Sequence, residues 1–238
     1  LYANIEQKTA QEVLSNVIAY QSYGENTFLY VVPDADGAKN QVDVMIKDGS
    51  SISMLQELSP STNYMLEISK LGSSFVVGVG SAAENQVYVY RNPIGLIKAA
   101  AQTATNALPR PTMVLSVSKP TDMKISTDSS VITAHNGTQF ASYEFEAARS
   151  FEFALEKPVD VDSEFEWLDG QHIMASVEGS LQMFDFDGSN RYVLAATVAK
   201  FGDFFDKNLD FLLTISHDQD DANSYRLQQN FLRTAADR

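Results

Sequence analysis

His172-Ile173-Met174-Ala175-Ser176-Val177 runs through Glu178-Gly179-Ser180 into Leu181-Gln182-Met183-Phe184-Asp185-Phe186, and Asp187-Gly188 follows. Short apolar runs rich in β-branched and aromatic residues, split by a polar break, read as paired strands. The flanks supply two more runs, 163–168 before the pair and 191–197 after it. Asp169-Gly170 and Asp187-Gly188 join these flanks to the central pair, and Asp-Gly is a favoured hairpin turn because both residues tolerate positive φ. Residues 163–197 therefore read as one four-stranded antiparallel sheet.

The same unit recurs along the chain. Upstream, Ser130-Val131-Ile132-Thr133-Ala134 leads through His135-Asn136-Gly137 into Gln139-Phe140-Ala141-Ser142-Tyr143-Glu144-Phe145. Asn40-Gln41-Val42-Asp43-Val44 is echoed 45 residues later by Asn85-Gln86-Val87-Tyr88-Val89. Alternating stretches precede both echoes (27–32 and 74–79), and apolar runs follow them (52–58 and 94–99). A last copy runs from Phe211 to Ser216 and then to Tyr225-Arg226-Leu227. Glutamines 41, 86, 139 and 182 mark the phase at spacings of 45, 53 and 43 residues. A period of about 40–45 residues with four short strands is what one propeller blade needs.

The expected fold is all-β: about five four-stranded blades in one domain over 1–238, a small β-propeller or the C-terminal part of a larger one. The blades fall at about 15–60, 63–104, 111–158, 163–200 and 203–238. Gly37, Gly49, Gly137, Gly170 and Gly188 mark structural turns. The spacing of 53 implies an insertion, placed at 119–127 in the third blade. Residues 98–108, rich in Ala, Thr and Gln, read as a short helix or an irregular loop, ended by Pro109 and Pro111. The fifth blade lacks a fourth strand, which residues 1–7 supply if the ring closes on itself. If the chain, which begins at Leu1, is a processed or truncated piece, residues 1–13 instead belong to an upstream blade. A helix over 6–16 is the competing reading of that segment.

Gln86-Val87-Tyr88-Val89-Tyr90 and Leu181-Gln182-Met183-Phe184-Asp185-Phe186-Asp187-Gly188 resemble strands of degenerate WD40- or YVTN-like blades. The pattern is similar in particular to the divergent C-terminal propellers that follow PEGA modules in bacterial envelope proteins. The WD40 Gly-His and Trp-Asp signatures are absent, and Trp167 is followed by Leu168. The resemblance implies a binding or scaffolding role at an extracytoplasmic surface.

Composition excludes several classes. The formal net charge is −14, from 31 acidic against 17 basic residues. Such a surface repels phosphate backbones, and no Lys/Arg cluster offsets it, so nucleic acid is not an expected partner. No run approaches the ~20 apolar residues of a membrane helix, so no membrane insertion is expected within this chain. With no cysteine, the chain has neither a disulfide framework nor a thiolate metal site nor a cysteine nucleophile.

Candidate chemistry is sparse. His135, His172 and His217 each sit near an end of a blade's second strand, but in three different blades. Asp34-Ala35-Asp36-Gly37 with Asn40, and Asp185-Phe186-Asp187-Gly188 with Asn190, supply hard oxygen donors but fit hairpin turns equally. Asp218, Asp220 and Asp221, in a loop without glycine, are the best candidates for a calcium site, though no EF-hand pattern is complete. Asp160, Asp162, Glu164 and Glu166 read as a solvated blade linker rather than paired catalytic acids. Phe201, Phe204 and Phe205 read as inter-blade core, with an exposed contact patch as the alternative. No nucleophile elbow or phosphate-cradling glycine loop occurs. The expectation is a non-enzymatic scaffold with no catalytic residues and no cofactor, calcium aside, that binds a protein partner. The alternative is a glycan-binding or glycan-hydrolysing propeller, which requires at least two of Asp34, Asp36, His135, Asp169 and Asp187 to converge on one pocket.

Overall fold

A computed structural model describes residues 2–4, 9–11, 14–34, 40–102, 108–163, 165–206, 210–218, 221 and 223–231, with side-chain environments from Leu14 onward. The chain divides into two compact units, Leu1–Met123 and Lys124–Arg238.

The first unit opens with a two-stranded antiparallel sheet, β1 (Tyr2–Asn4) against β2 (Thr9–Gln11). The strand expected from residues 1–7 to complete the fifth blade is thus taken up by a local partner, and Thr9–Gln11 is extended rather than helical. The first blade follows as β3 (Ala19–Tyr23), β4 (Thr27–Pro33), β5 (Val42–Asp48) and β6 (Ser51–Leu58), each paired with the next. The second contains β7 (Tyr64–Leu71), β8 (Ser74–Ser81), β9 (Gln86–Arg91) and, beyond a helix, β10 (Met113–Ser116).

That helix, α1 (Pro93–Gln102), corrects the reading of 94–99 as a strand. Pro93 stands at its first position and the Asn92 side chain accepts the Gly95 N–H at 3.2 Å, a start signal made of a cap and a proline. Ile94, Leu96 and Ile97 pack on the core shared by the first two blades, which includes Leu29, Val44, Leu55, Val77, Val79 and Tyr90. After the helix, Met113–Ser116 returns to pair with β9, Val114 opposite Tyr88. It therefore belongs to the second blade, not the third. The insertion behind the spacing of 53 lies between the second blade's third and fourth strands, and residues 119–127 instead contain β11 (Asp122–Ile125), the first strand of the third blade.

The third blade continues with β12 (Val131–His135), β13 (Gln139–Glu144) and β14 (Arg149–Ala154). The fourth is β15 (Glu166–Trp167), β16 (His172–Val177), β17 (Ser180–Asp185) and β18 (Tyr192–Ala196), inside the limits read from the sequence. The fifth has three strands among the described residues: β19 (Phe204–Phe205), β20 (Phe211–His217) and β21 (Tyr225–Phe231). All five sheets are antiparallel and meander in chain order, as blades of a β-propeller do.

Burial differs between strands. Two second strands are covered on both faces: β12 is buried at every position and β16 at five of six, whereas β20 alternates, with Leu212, Thr214 and Ser216 buried. A strand covered from both sides has no polar face to offer, which is why 131–134 and 173–177 read as nearly continuous apolar runs. The buried hydroxyls that do occur are paired, Thr133 Oγ1 with Ser142 Oγ at 2.7 Å across β12 and β13. The outermost strands, β14 and β18, have no fully buried residue. In the second unit, Phe140, Phe165, Trp167, Ile173 and Phe184 join the third and fourth sheets, and Met174, Leu181 and Leu212 join the fourth and fifth.

The glutamine phase holds at the level of strands. Gln41 immediately precedes β5, Gln86 and Gln139 begin β9 and β13, and Gln182 is the third residue of β17. All four mark a third strand; Gln182 lies two residues further in. The turn glycines divide. Gly49, Gly137 and Gly188 have positive φ (59°, 92° and 83°) as turn chemistry requires. Gly170 does not; its constraint is space, because a Cβ there would run into the Asp128 carboxylate. Gly37 lies outside the described residues.

Gly188 meets both demands at once: its φ is 83° and a Cβ would collide with the Phe153 ring. Gly137 has open space around it. Gly137→Ala is therefore expected to cost about 1–2 kcal/mol from left-handed strain, and Gly188→Ala a further ~1–3 kcal/mol from the clash. Urea denaturation of the two variants checks the order; equal midpoints would contradict it.

Candidate functional site

The three histidines do not converge. His135 ends β12 and His217 ends β20, whereas His172 begins β16, at the opposite end of a second strand. His135 is buried, stacked on Phe140 with centroids 4.8 Å apart and edge-on to Phe165. Its Nδ1 accepts the Gly137 N–H at 2.8 Å, so it pins the Asn136-Gly137 turn. Burial, with a contribution from the Lys124 charge, lowers its pKa to about 4. His172 stands between two carboxylates, Nδ1 2.7 Å from Asp169 Oδ2 and Nε2 3.5 Å from Asp185 Oδ1.

The aspartates of the turns serve the backbone. Asp169 Oδ1 accepts the N–H groups of Gln171 and His172, at 2.7 and 2.8 Å. Burial alone would raise its carboxyl pKa; these donors and the imidazole outweigh burial and hold it below the usual value. Asp187 is lowered by the Ser189 hydroxyl and N–H, at 2.6 and 2.9 Å. Asp185 Oδ2 accepts from Asn190 Nδ2 at 2.7 Å and Ser189 Oγ at 3.2 Å, so this oxygen is used within the loop. Asp160 was legible only as part of an acidic linker. Its two carboxylate oxygens accept the N–H groups of Glu178 and Gly179, at 2.9 and 3.0 Å, and clamp the turn between β16 and β17.

In the calcium candidate, Asp218 faces Arg226, whose Nη2 lies 3.2 Å from both carboxylate oxygens. Asp221 Oδ1 accepts the Asn223 N–H at 2.9 Å and closes the loop on itself. Asp220 lies outside the described residues. Among the described residues, no group of three His, Asp or Glu side chains is placed to hold a metal ion.

A cavity of about 520 Å³ in the second unit was invisible in the sequence. It is lined by Trp167, Phe201 and Phe205 together with Asp162, Glu166 and Asp203. Asp34, His135, Asp169 and Asp187 do not line it, and Asp36 lies outside the described residues. The expected inter-blade role of the phenylalanines holds for Phe205, which packs on the Met174–Leu181–Leu212 cluster. It fails for Phe204, 60% exposed, because adjacent residues of β19 point to opposite sides of the sheet. Asp203 is half-buried, and its Oδ1 accepts the Thr197 hydroxyl at 2.8 Å. Burial raises its pKa, and the hydroxyl offsets only part of the shift.

Charge is unevenly divided. From Lys124 onward the sequence carries 20 acidic against 9 basic residues, −11 of the total −14. The acidic character read from composition is therefore a property of the second unit.

No family model matches the chain, and no curated protein sequence matches it. Solved β-propellers do resemble it in fold. A structure described as the eukaryotic initiation factor aligns with TM-score 0.56 at 14% identity, over 91% of this chain and 52% of that one. KlHsv2 with loop 6CD replaced by a Gly-Ser linker aligns with TM-score 0.50 at 10% identity, over 96% and 76%. The Dos1 propeller aligns with TM-score 0.49 at 10% identity, over 82% and 50%. The chain thus spans about half the length of the first and last of these structures. At such identities the likeness shows the β-propeller fold.

His135 sets a pH dependence. Its folded pKa, about 4, lies below the unfolded 6.5, so the unfolded chain binds the extra proton between those values. Its contribution to stability is present above pH 6.5 and declines by up to ~3 kcal/mol as pH falls towards 4. His135→Gln is expected to flatten the urea midpoint of the second unit across that window; an unchanged pH slope would contradict it.

Proposed function

We propose that this chain is a non-enzymatic β-propeller scaffold whose second unit binds a protein partner through a basic surface of that partner. The reading is supported above all by the concentration of charge: a net −11 on one unit raises the local concentration of a cationic partner and speeds its encounter. Blades supply broad, rigid surfaces without a deep catalytic cleft. The turn aspartates already have backbone, serine or histidine partners, which fits a structural use of those carboxylates better than glycan hydrolysis. On the sequence resemblance to envelope propellers we extend the proposal to a location at the cell envelope.

Polylysine is a suitable first probe. The chain is expected to bind it at 50 mM salt and to lose about tenfold or more in affinity at 300 mM, since contacts between exposed charges are screened over ~10 Å at 0.1 M. Failure to bind at 50 mM, or binding indifferent to salt, would end this reading. Fractionation of the source cells tests the location, with recovery alongside the envelope expected and recovery in the cytosol contradicting it.

A further inference from the structure

The cavity beside Trp167 has a composition that the turn aspartates lack. Asp203 forms one wall as a half-buried carboxylate that accepts a hydrogen bond from a neutral hydroxyl, Thr197 Oγ1. A carboxylate withdrawn from water without a cation is an unfavourable arrangement that an incoming positive charge relieves. Asp162, exposed, and Glu166, which is also 2.7 Å from Lys124, add negative potential at the same cavity. The apolar walls are Trp167, Phe201 and Phe205, which suit the methylene stem of a long side chain.

Cations of this unit already rest on its aromatic rings, one of them at the cavity. The Lys200 ammonium, on the cavity's lining, lies over the Phe201 and Tyr225 rings at 4.8 and 4.9 Å and donates to the Tyr225 hydroxyl at 3.0 Å. Lys124 lies 5.8 Å over Phe165, and Arg191 5.8 Å over Phe153. A volume of about 520 Å³ falls within the ~300–1,000 Å³ usual for ligand pockets.

We infer that this cavity receives a lysine or arginine side chain of a basic peptide segment, its charge against Asp203 and its stem against Trp167 and Phe205. The inference rests on the scaffold reading and gives it a docking point. Charge sign selects this occupant: the lining sets three carboxylates, Asp162, Glu166 and Asp203, against one ammonium, Lys200, which already rests on the Phe201 and Tyr225 rings, so the excess negative charge favours a basic segment over an acidic, phosphorylated or neutral one.

The test uses the full chain and a hexa-arginine peptide. Trp167 is the sole tryptophan, so its emission reports on the cavity wall directly, while peptide anisotropy reports binding anywhere on the surface. Binding is expected to change Trp167 emission, and Asp203→Asn, which keeps the Thr197 contact, to weaken binding about tenfold or more, the scale of a lost charged contact. Should Asp203→Asn fail to fold, Asp162→Asn on the exposed rim is expected to weaken binding severalfold. Glu146→Gln removes the same charge from an exposed turn elsewhere in the unit and is expected to leave affinity within about twofold, as a remote screened charge should. Peptide binding with silent Trp167 emission, and equal losses for the cavity variants and Glu146→Gln, would overturn the cavity assignment while leaving the acidic-scaffold reading in place. Absence of peptide binding at low salt would overturn both.

Discussion

The third and fourth sheets depend on covering their second strands from both faces. A single antiparallel sheet with one wet face reads apolar-polar-apolar; β12 and β16 instead carry apolar or internally paired residues at almost every position. Such strands have no stable existence in an isolated sheet, because the second apolar face would meet water. These two sheets thus need each other. The aromatic residues do much of this joining in the second unit: Phe184 of the fourth sheet meets Phe140 and Phe153 of the third edge-on, at 5.5 and 5.7 Å. Offset and edge-on rings add about 0.5–1.5 kcal/mol each beyond the area they bury.

Around these fixed centres, the turns are held by short acidic side chains. Asp128 accepts from Ser126 Oγ and from the N–H and hydroxyl of Ser130, and the donors outweigh burial to lower its pKa. Asp160, Asp169 and Asp187 act alike at other turns of the same unit. Part of the negative charge of the second unit is therefore structural in origin, since an ionised carboxylate is the strongest compact acceptor for clustered N–H groups. Asp162 and Asp203 gather no such N–H groups among the described residues, and the binding proposal is built on them.

What the sequence disclosed was local and periodic. Strand pairs around Gly137 and Gly188 were legible because two signals agreed, an apolar run on either side and a glycine where φ is positive. The second blade's fourth strand was not, since α1 and the segment after it separate Met113–Ser116 from β9, and an apolar run of 94–99 fits either period. The tightness at Gly170 comes from Asp128, 42 positions away in the chain, and the cavity gathers Asp162, Trp167 and Asp203 from segments that share no motif. Long-range juxtaposition of this kind leaves no mark on a single sequence.

The register slips between β5 and β6 at Val44/Met45, and between β17 and β18 at Leu181/Gln182. Both irregularities lie on the outward side of a third strand, whereas the pairing of second with third strands in those sheets runs without a break. A bulge absorbs an added or lost residue by local twist, leaving the pairs further inward in step. A residue gained or lost in a fourth strand is accordingly taken up at the bulge, and the ladder between second and third strands keeps its register.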